Sequence, residues 1–201
     1  MGFEMIVSNA GPLIHLARIS KLKLLKALFG EVVIPYAVKE EVVERGKEKG
    51  KADAFLIEEG LKEGWIVTVE DVDMEEIAER ADIEEAEAIA IMHARRKRCP
   101  VLLDDLAARR FAIGLGLEVV GSVGVLIKSA KEYKISKEEA LDSLEKLAKA
   151  RKVLKNSIYN SSALLIGNVA GLILTIILAR LLQSELFGIY HLALAVVPFC
   201  F

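Results

Sequence analysis

Along the first 130 residues, apolar runs of only three or four residues alternate with longer stretches of helical period, and this rhythm narrows the fold most. The short runs are Met5–Ser8, Val32–Ile34, Ile66–Val69, Val101–Leu103 and Glu118–Val120. They are too short for helices and have Gly, Pro, Asn or Asp close by, as buried strands do. Between them, helical spacing predicts Pro12–Ile19, Leu22–Phe29, Tyr36–Arg45, Ala52–Leu61, a helix from about Asp82 to Arg98, Leu106–Leu115 and Gly121–Ala130. Strands linked through helices run parallel, and a parallel sheet is covered on both faces. The expected fold is therefore a three-layer α/β/α sandwich over residues 1–135. Sites in such sheets gather at the carboxyl ends of strands, which directs attention to Asn9 and to Asp104-Asp105.

Composition changes sharply near the C-terminus. Of 201 residues, 27 are Lys or Arg and 29 are Asp or Glu, yet from Asn156 onward only Arg180 and Glu185 are charged. Ser136 and Glu139 predict a capping box for a basic, amphipathic helix over 136–155, with Leu141, Leu144, Leu147 and Leu154 on one side. Residues 156–201 then read as a truncated transmembrane-like segment. Asn156–Ala179, about 24 residues, suffices to span a bilayer at ~1.5 Å per residue. Lys146, Lys149, Arg151, Lys152 and Lys155 precede it and predict that the α/β domain stays on the cytoplasmic side. The net charge of −2 excludes a binder that works by bulk positive charge alone. Cys99 and Cys200 are too few and too far apart for a disulfide framework or a zinc site.

Several acids stand where a bland fold does not need them. At about 100° per residue, Glu41 falls between Ala37 and Val38 in the apolar arc of its helix. Glu87 falls between Ile83 and Ile91, whereas Glu85 lies outside that arc, in the first turn. Asp104 and Asp105 directly follow an apolar strand. Acids brought together repel unless a cation neutralises them, and an all-oxygen donor set suits Mg²⁺ or Mn²⁺. Such an ion generates a hydroxide nucleophile and stabilises a leaving oxygen in phosphodiester hydrolysis. Each acid also has a structural reading. Glu85 and the aspartates can cap helices, Asp82-Ile83-Glu84-Glu85 resembles a capping box, and Glu41 can be an edge residue. Ser8 can bind a metal-held water or close its strand, and Arg109 can clamp a phosphate or pair with an acid. His15 reads as structural, and Arg95-Arg96-Lys97-Arg98 as a helix end favoured by the macrodipole.

Four blocks together resemble the PIN-domain family, and within it the VapC-like toxin ribonucleases: IVSNAGPLIHLARI, VVIPYAVKEEV, EEAEAIAIM and LLDDLAARRFAIGLGLEVVGSVGVL. They cover about residues 5–130. The resemblance implies metal-dependent cleavage of RNA, with Mg²⁺ or Mn²⁺ held by Glu41, Glu85 or Glu87, and Asp104 or Asp105. Asn9 would then orient a water or phosphate, and Ser8 and Arg109 would meet the substrate. It also implies an antitoxin partner and a homodimer. Two departures stand out: Asn9 occupies a position where the family usually has Asp, and Glu84 one where it has Gly. The first weakens cation binding and leaves open a PIN-fold module with reduced catalysis. The tail, NSIYNSSALLIGNVAGLILTIILARLLQSELFGIYHLALAV, resembles the start of a polysaccharide flippase, too short to form a transport pathway.

Overall fold

A computed structural model describes residues 4–150, all within Met1–Ala150, the first of two compact units of the chain. Five strands form one parallel sheet: β1 (Met5–Ser8), β2 (Glu31–Pro35), β3 (Ile66–Val69), β4 (Val101–Leu102) and β5 (Val119–Val120), in the order β3-β2-β1-β4-β5. In register, Ile6 faces Val32 on one side of β1, and Val7 faces Val101 on the other. Alternate side chains enter separate cores. Ile6, Val32, Ile34, Ile66 and Leu102 point to one face, and Val7, Val33, Val101 and Leu103 to the other. The first face is covered by α1 (Ala10–Arg18), α2 (Lys23–Phe29), α5 (Ala52–Lys62) and α9 (Ser122–Lys131). The second is covered by α7 (Glu85–Lys97) and α8 (Leu106–Gly114). This is the expected sandwich, and every strand of the sheet matches its apolar run to within one or two residues.

Three local expectations are corrected. The helix predicted over Tyr36–Arg45 is α3 (Tyr36–Lys39), a π-helical turn at Glu40–Glu44 and α4 (Arg45–Glu48). The Arg45 amide reaches the carbonyl of Glu40, five residues back, so the turn holds one residue more than an α-turn. That extra residue changes the phase on which the predicted burial of Glu41 depends. Val38, Val42 and Val43 are buried, while Glu41 is exposed. A short acidic helix, α6 (Glu75–Ala81), has no counterpart among the predicted elements, because Ala78 is its one buried residue and gives almost no apolar period. It also removes the predicted capping box. Asp82 adopts a left-handed conformation and ends α6, and Glu84 becomes the N-cap of α7 with no side-chain cap bond.

Residues 137–150 are helical. Half of the predicted capping box forms there, the Glu139 amide donating to Ser136 Oγ at 3.1 Å, while the Glu139 carboxylate pairs with Lys21 instead. The inward face carries Ala140, Ser143, Leu144 and Leu147, and Leu147 joins the first core. Leu141 is 59 % exposed, against the expectation that it shares that face. Leu154 and residues 156–201, including the predicted membrane segment and the flippase-like tail, lie outside the described residues. Among the described residues, no helix is long and apolar enough to cross a membrane. Leu147→Ala in the full chain is expected to cost about 2–5 kcal/mol, as truncation of a buried leucine does. Leu141→Ala is expected to stay within about 0.5 kcal/mol, as exposed positions do. Urea unfolding followed by circular dichroism reads both, and equal losses would contradict this face assignment.

Candidate functional site

The chain reverses its direction of travel across the sheet between β1 and β4: β2 and β3 lie to one side of β1, β4 and β5 to the other. A crevice opens where adjacent parallel strands send their connections apart, and ligands bind there in open α/β sheets. β1 ends beside Asn9, and β4 leads through Leu103 into Asp104 and Asp105. The Asn9 amide nitrogen bonds the carbonyl of Leu102, which locks the two strand ends together.

Asn9 takes the N-cap position of α1 in an extended conformation, but its side chain does not cap that helix. Its Nδ2 instead donates to Glu87 Oε1 at 2.9 Å. Both residues are buried, and among the described residues Asn9 Oδ1 has no hydrogen-bond partner. An unsatisfied buried carbonyl oxygen costs about 1–3 kcal/mol, so it invites a ligand. Glu87 reaches this position because α7 packs onto the sheet through Ala90, Ile91 and Ala94. Burial pushes its carboxyl up to about 7, with the charges of Asp105 and Glu84 adding to the effect. The Glu84 backbone and the Asn9 side chain offset part of it.

The two aspartates after β4 divide their tasks. Asp105 caps α8, accepting from the amides of Ala107 and Ala108 at 2.8 and 3.0 Å through one oxygen. The carboxylate of Asp104 is occupied by protein donors. Ser122 gives its amide to Oδ1 at 2.9 Å and its hydroxyl to Oδ2 at 2.5 Å, and His15 Nδ1 lies 2.6 Å from Oδ2. Burial opposes ionisation of Asp104, but the bonds from His15 and Ser122 overcome it and hold the carboxyl below its ordinary range. Asp104 thereby ties α1, the end of β4 and the start of α9 into one corner. Sequence reasoning sets His15 aside and does not single out Ser122. Only the fold brings them to Asp104, across 89 and 18 residues.

The remaining candidates fall at the rim or into structural roles. Glu41 is exposed on the π-helical turn, and its carboxyl is raised by partial burial and then by the charge of Glu84. Glu84 thus lies within electrostatic reach of both Glu41 and Glu87. Glu85 is exposed and makes no hydrogen bond or ion pair among the described residues. Ser8 is fully buried and its hydroxyl donates to the carbonyl of Asn9 at 2.9 Å, which is the strand-closing role. Arg109 Nη1 donates to the carbonyl of Leu103 at 3.3 Å. It lies only 2.5 Å from where a side chain on Gly121 would begin, so a glycine there gives the guanidinium its room.

Among the described residues, no group of three or more His, Cys, Asp or Glu stands close enough together to hold a metal unaided. The set Asn9 Oδ1, Glu87 and Asp105 nevertheless fits a hard cation that keeps several waters. It offers an orphaned buried oxygen beside two carboxylates whose mutual repulsion a cation relieves.

The raised Glu87 makes metal-free stability depend on pH. An acid held above its unfolded value binds more protons in the folded state, so its contribution is fully present below about pH 4.5 and is lost as pH rises through 7. The loss is of order 3 kcal/mol. In EDTA, wild-type stability is expected to decline across this window, while Glu87→Gln, always neutral, removes most of the slope. Urea midpoints taken from pH 4.5 to 8 check this, and parallel profiles for the two proteins would refute it.

Comparison with known proteins gives one family match. A family model described as a PIN domain (DUF3368) matches residues 5–167, most of the chain and well beyond the four blocks that carry the resemblance. No curated protein matches. A PilT N-terminus domain protein from the hyperthermophilic archaeon Sulfolobus solfataricus P2 is similar in structure over 62 % of this chain and 92 % of its own, with 15 % identity and a TM-score of 0.39. On the family match, with its acidic crevice at the turning point of a five-stranded parallel sheet, the chain belongs to the PIN-domain family.

Proposed function

We propose that this protein is a divalent-metal-dependent endoribonuclease of the PIN type. The observation that carries the reading is the buried, unsatisfied Oδ1 of Asn9 beside Glu87 and Asp105. Asn9, Glu87 and Asp105 would hold Mg²⁺ or Mn²⁺, which when bound supplies an activated water and stabilises the leaving oxygen of a phosphodiester. The chain's own residues prepare that step. The α8 amides fix one oxygen of Asp105 and leave the other for the crevice. Asp104, engaged by His15 and Ser122, is a positioning residue that keeps the strand end and α1 in place. Glu41 and Glu84 would form an outer acidic rim that ligates further cations through water, and Glu85 is exposed and stands outside this set.

Asn9 supports a second reading, a PIN-fold binding module with weakened catalysis. An amide donates to Glu87 and so stabilises the pair without a cation, whereas an aspartate in its place would repel Glu87 unless a cation lay between them. One panel separates the readings. The full chain is expected to cleave a labelled single-stranded RNA in Mn²⁺ and not in EDTA. Glu87→Gln and Asp105→Asn are expected to lower the rate by about 10²-fold or more. Asp104→Asn, acting through its neighbours, should cost about 10–100-fold together with thermal stability. Metal-independent cleavage, or full rates in the Glu87 and Asp105 variants, would overturn the mechanism. No cleavage by wild type with a gain in Asn9→Asp would favour the weakened module.

We further read the protein as a VapC-like toxin that is silenced by an antitoxin protein and pairs as a homodimer, with residues 156–201 serving as a membrane attachment. The support is the sequence resemblance and the apolar composition of that segment. Induced expression of the full chain is expected to arrest growth, with the protein in the membrane fraction, whereas Glu87→Gln is tolerated. Unimpaired growth argues against the toxin role, and recovery in the soluble fraction argues against attachment.

A further inference from the structure

The crevice is acidic, and RNA is a polyanion, so a nuclease built this way needs cations beyond the rim to hold the strand. The basic end of α7, Arg95 to Arg98, is badly placed for this. Glu87 lies in the first turn of that helix and Arg96 in its last, roughly 13 Å apart along the axis at ~1.5 Å per residue. A different group of cations adjoins the rim. Residues 45–51 read Arg-Gly-Lys-Glu-Lys-Gly-Lys, four cations to the single acid Glu48. Arg45 and Lys47 are paired, with Glu40 and Glu58. Lys49 and Lys51 are exposed and form no ion pair or side-chain hydrogen bond among the described residues.

The turn that carries them is built rather than loose. The amides of Lys49, Gly50 and Lys51 donate to the carbonyls of Arg45, Lys47 and Gly46, and Gly50 has a positive φ of 62°. At Gly46, α4 and α5 come so close that a side chain would begin 2.7 Å from Ala54 Cβ. This contact sets Lys47 beside Phe55, its Nζ 5.9 Å from the ring centroid. Phe55 is 53 % exposed, an aromatic ring left in solvent near the start of α5, the helix whose N-cap residue is Lys51. Gly46 brings the turn against the helix before it, a side chain there beginning 4.0 Å from the Glu41 carbonyl oxygen, and the charges of Arg45, Lys51 and Lys49 act on the Glu41 carboxyl, so the turn adjoins Glu41.

We propose that the α4–α5 turn is the docking arm for the substrate strand: Lys49 and Lys51 take backbone phosphates and the Phe55 ring stacks on a base of single-stranded RNA. Free cations with an exposed ring form the pairing by which single strands are held without sequence preference. The inference rests on the nuclease reading for its choice of ligand, but binding can be tested apart from cleavage.

Fluorescence anisotropy of the full chain with a labelled oligouridylate in EDTA is the measurement. Lys49→Gln with Lys51→Gln is expected to lower the salt slope of binding by about 1.4, two phosphates at ~0.7 each. Phe55→Ala is expected to weaken binding about tenfold at fixed salt. A charge-matched control, Arg96→Gln with Lys97→Gln, should stay within about twofold. In Mn²⁺, the turn variants should raise KM for cleavage and leave kcat near wild type. If wild type binds with patch dependence but does not cleave, the nuclease reading fails and the docking arm stands. If the turn variants bind and cleave as wild type does, or the control loses as much, the docking arm is wrong and the nuclease reading is untouched. Wild-type protein that binds no oligouridylate, or that binds polyglutamate equally well through the same residues, also overturns the inference.

Discussion

The pairing of β1 with β2 on one side and β4 on the other is the constraint on which the site depends. Ile6 and Val7 are wholly buried on opposite faces, so the strand has no solvent side and its backbone must be satisfied by its neighbours. With β1 central, the chain has to leave it in one direction and return on the other. The two strand ends at this junction are brought within hydrogen-bond distance, Asn9 to Leu102. The residues just beyond each strand are therefore forced into the same crevice. A one-residue slip of β4 would exchange Leu102 with Leu103 between the two cores, so burial pins the register that sets Asp104 and Asp105 in place.

Within that crevice the chemistry is a contest between burial and charge. Glu87 is buried beside other acids and gains protons as a result, while Asp104, more heavily hydrogen-bonded, stays ionised. Two carboxyl groups at one end of one sheet are pushed in opposite directions by the donors each can reach. Asn9 moderates the contest, since its amide gives Glu87 a donor where an aspartate would give it another acid. The same residue leaves its own oxygen unsatisfied. Bonding to Glu87 and affinity for a cation thus pull on one side chain from its two ends.

The sheet is legible in the sequence because strands buried on both faces must be apolar at every position, and runs such as Ile-Val and Val-Leu-Leu have no other use. Glu87 stands out in the sequence because it interrupts the apolar arc of its helix, and Asp104 and Asp105 because they directly follow an apolar strand. The exposure of Glu41 is illegible because its angular position presumes an α-helix, and no residue in Glu40–Glu44 announces a π-helical turn. The capping role expected near Asp82 fails because an unexpected helix, with a single buried alanine, claims that residue for its own end. His15 and Ser122 are illegible as site residues for a different reason. Their role exists only through contacts with Asp104 made by folding, and neither breaks a local pattern.

The aspartate pair shows how one short motif can serve two demands at once. At the end of a parallel strand, successive side chains diverge, so adjacent acids cannot both face the crevice in the same way. One becomes an N-cap whose free oxygen remains available, and the other turns back to bind α1 and α9. Rigidity around Asp105 then comes from Asp104, through the donors that keep it charged. The charges that raise Glu87 are those of Asp105 and Glu84, while Asp104 is held in its own corner by His15 and Ser122. The corner formed by His15, Asp104 and Ser122 thus serves the site through position, by fixing the strand end from which Asp105 projects, even though the cation-binding set excludes it.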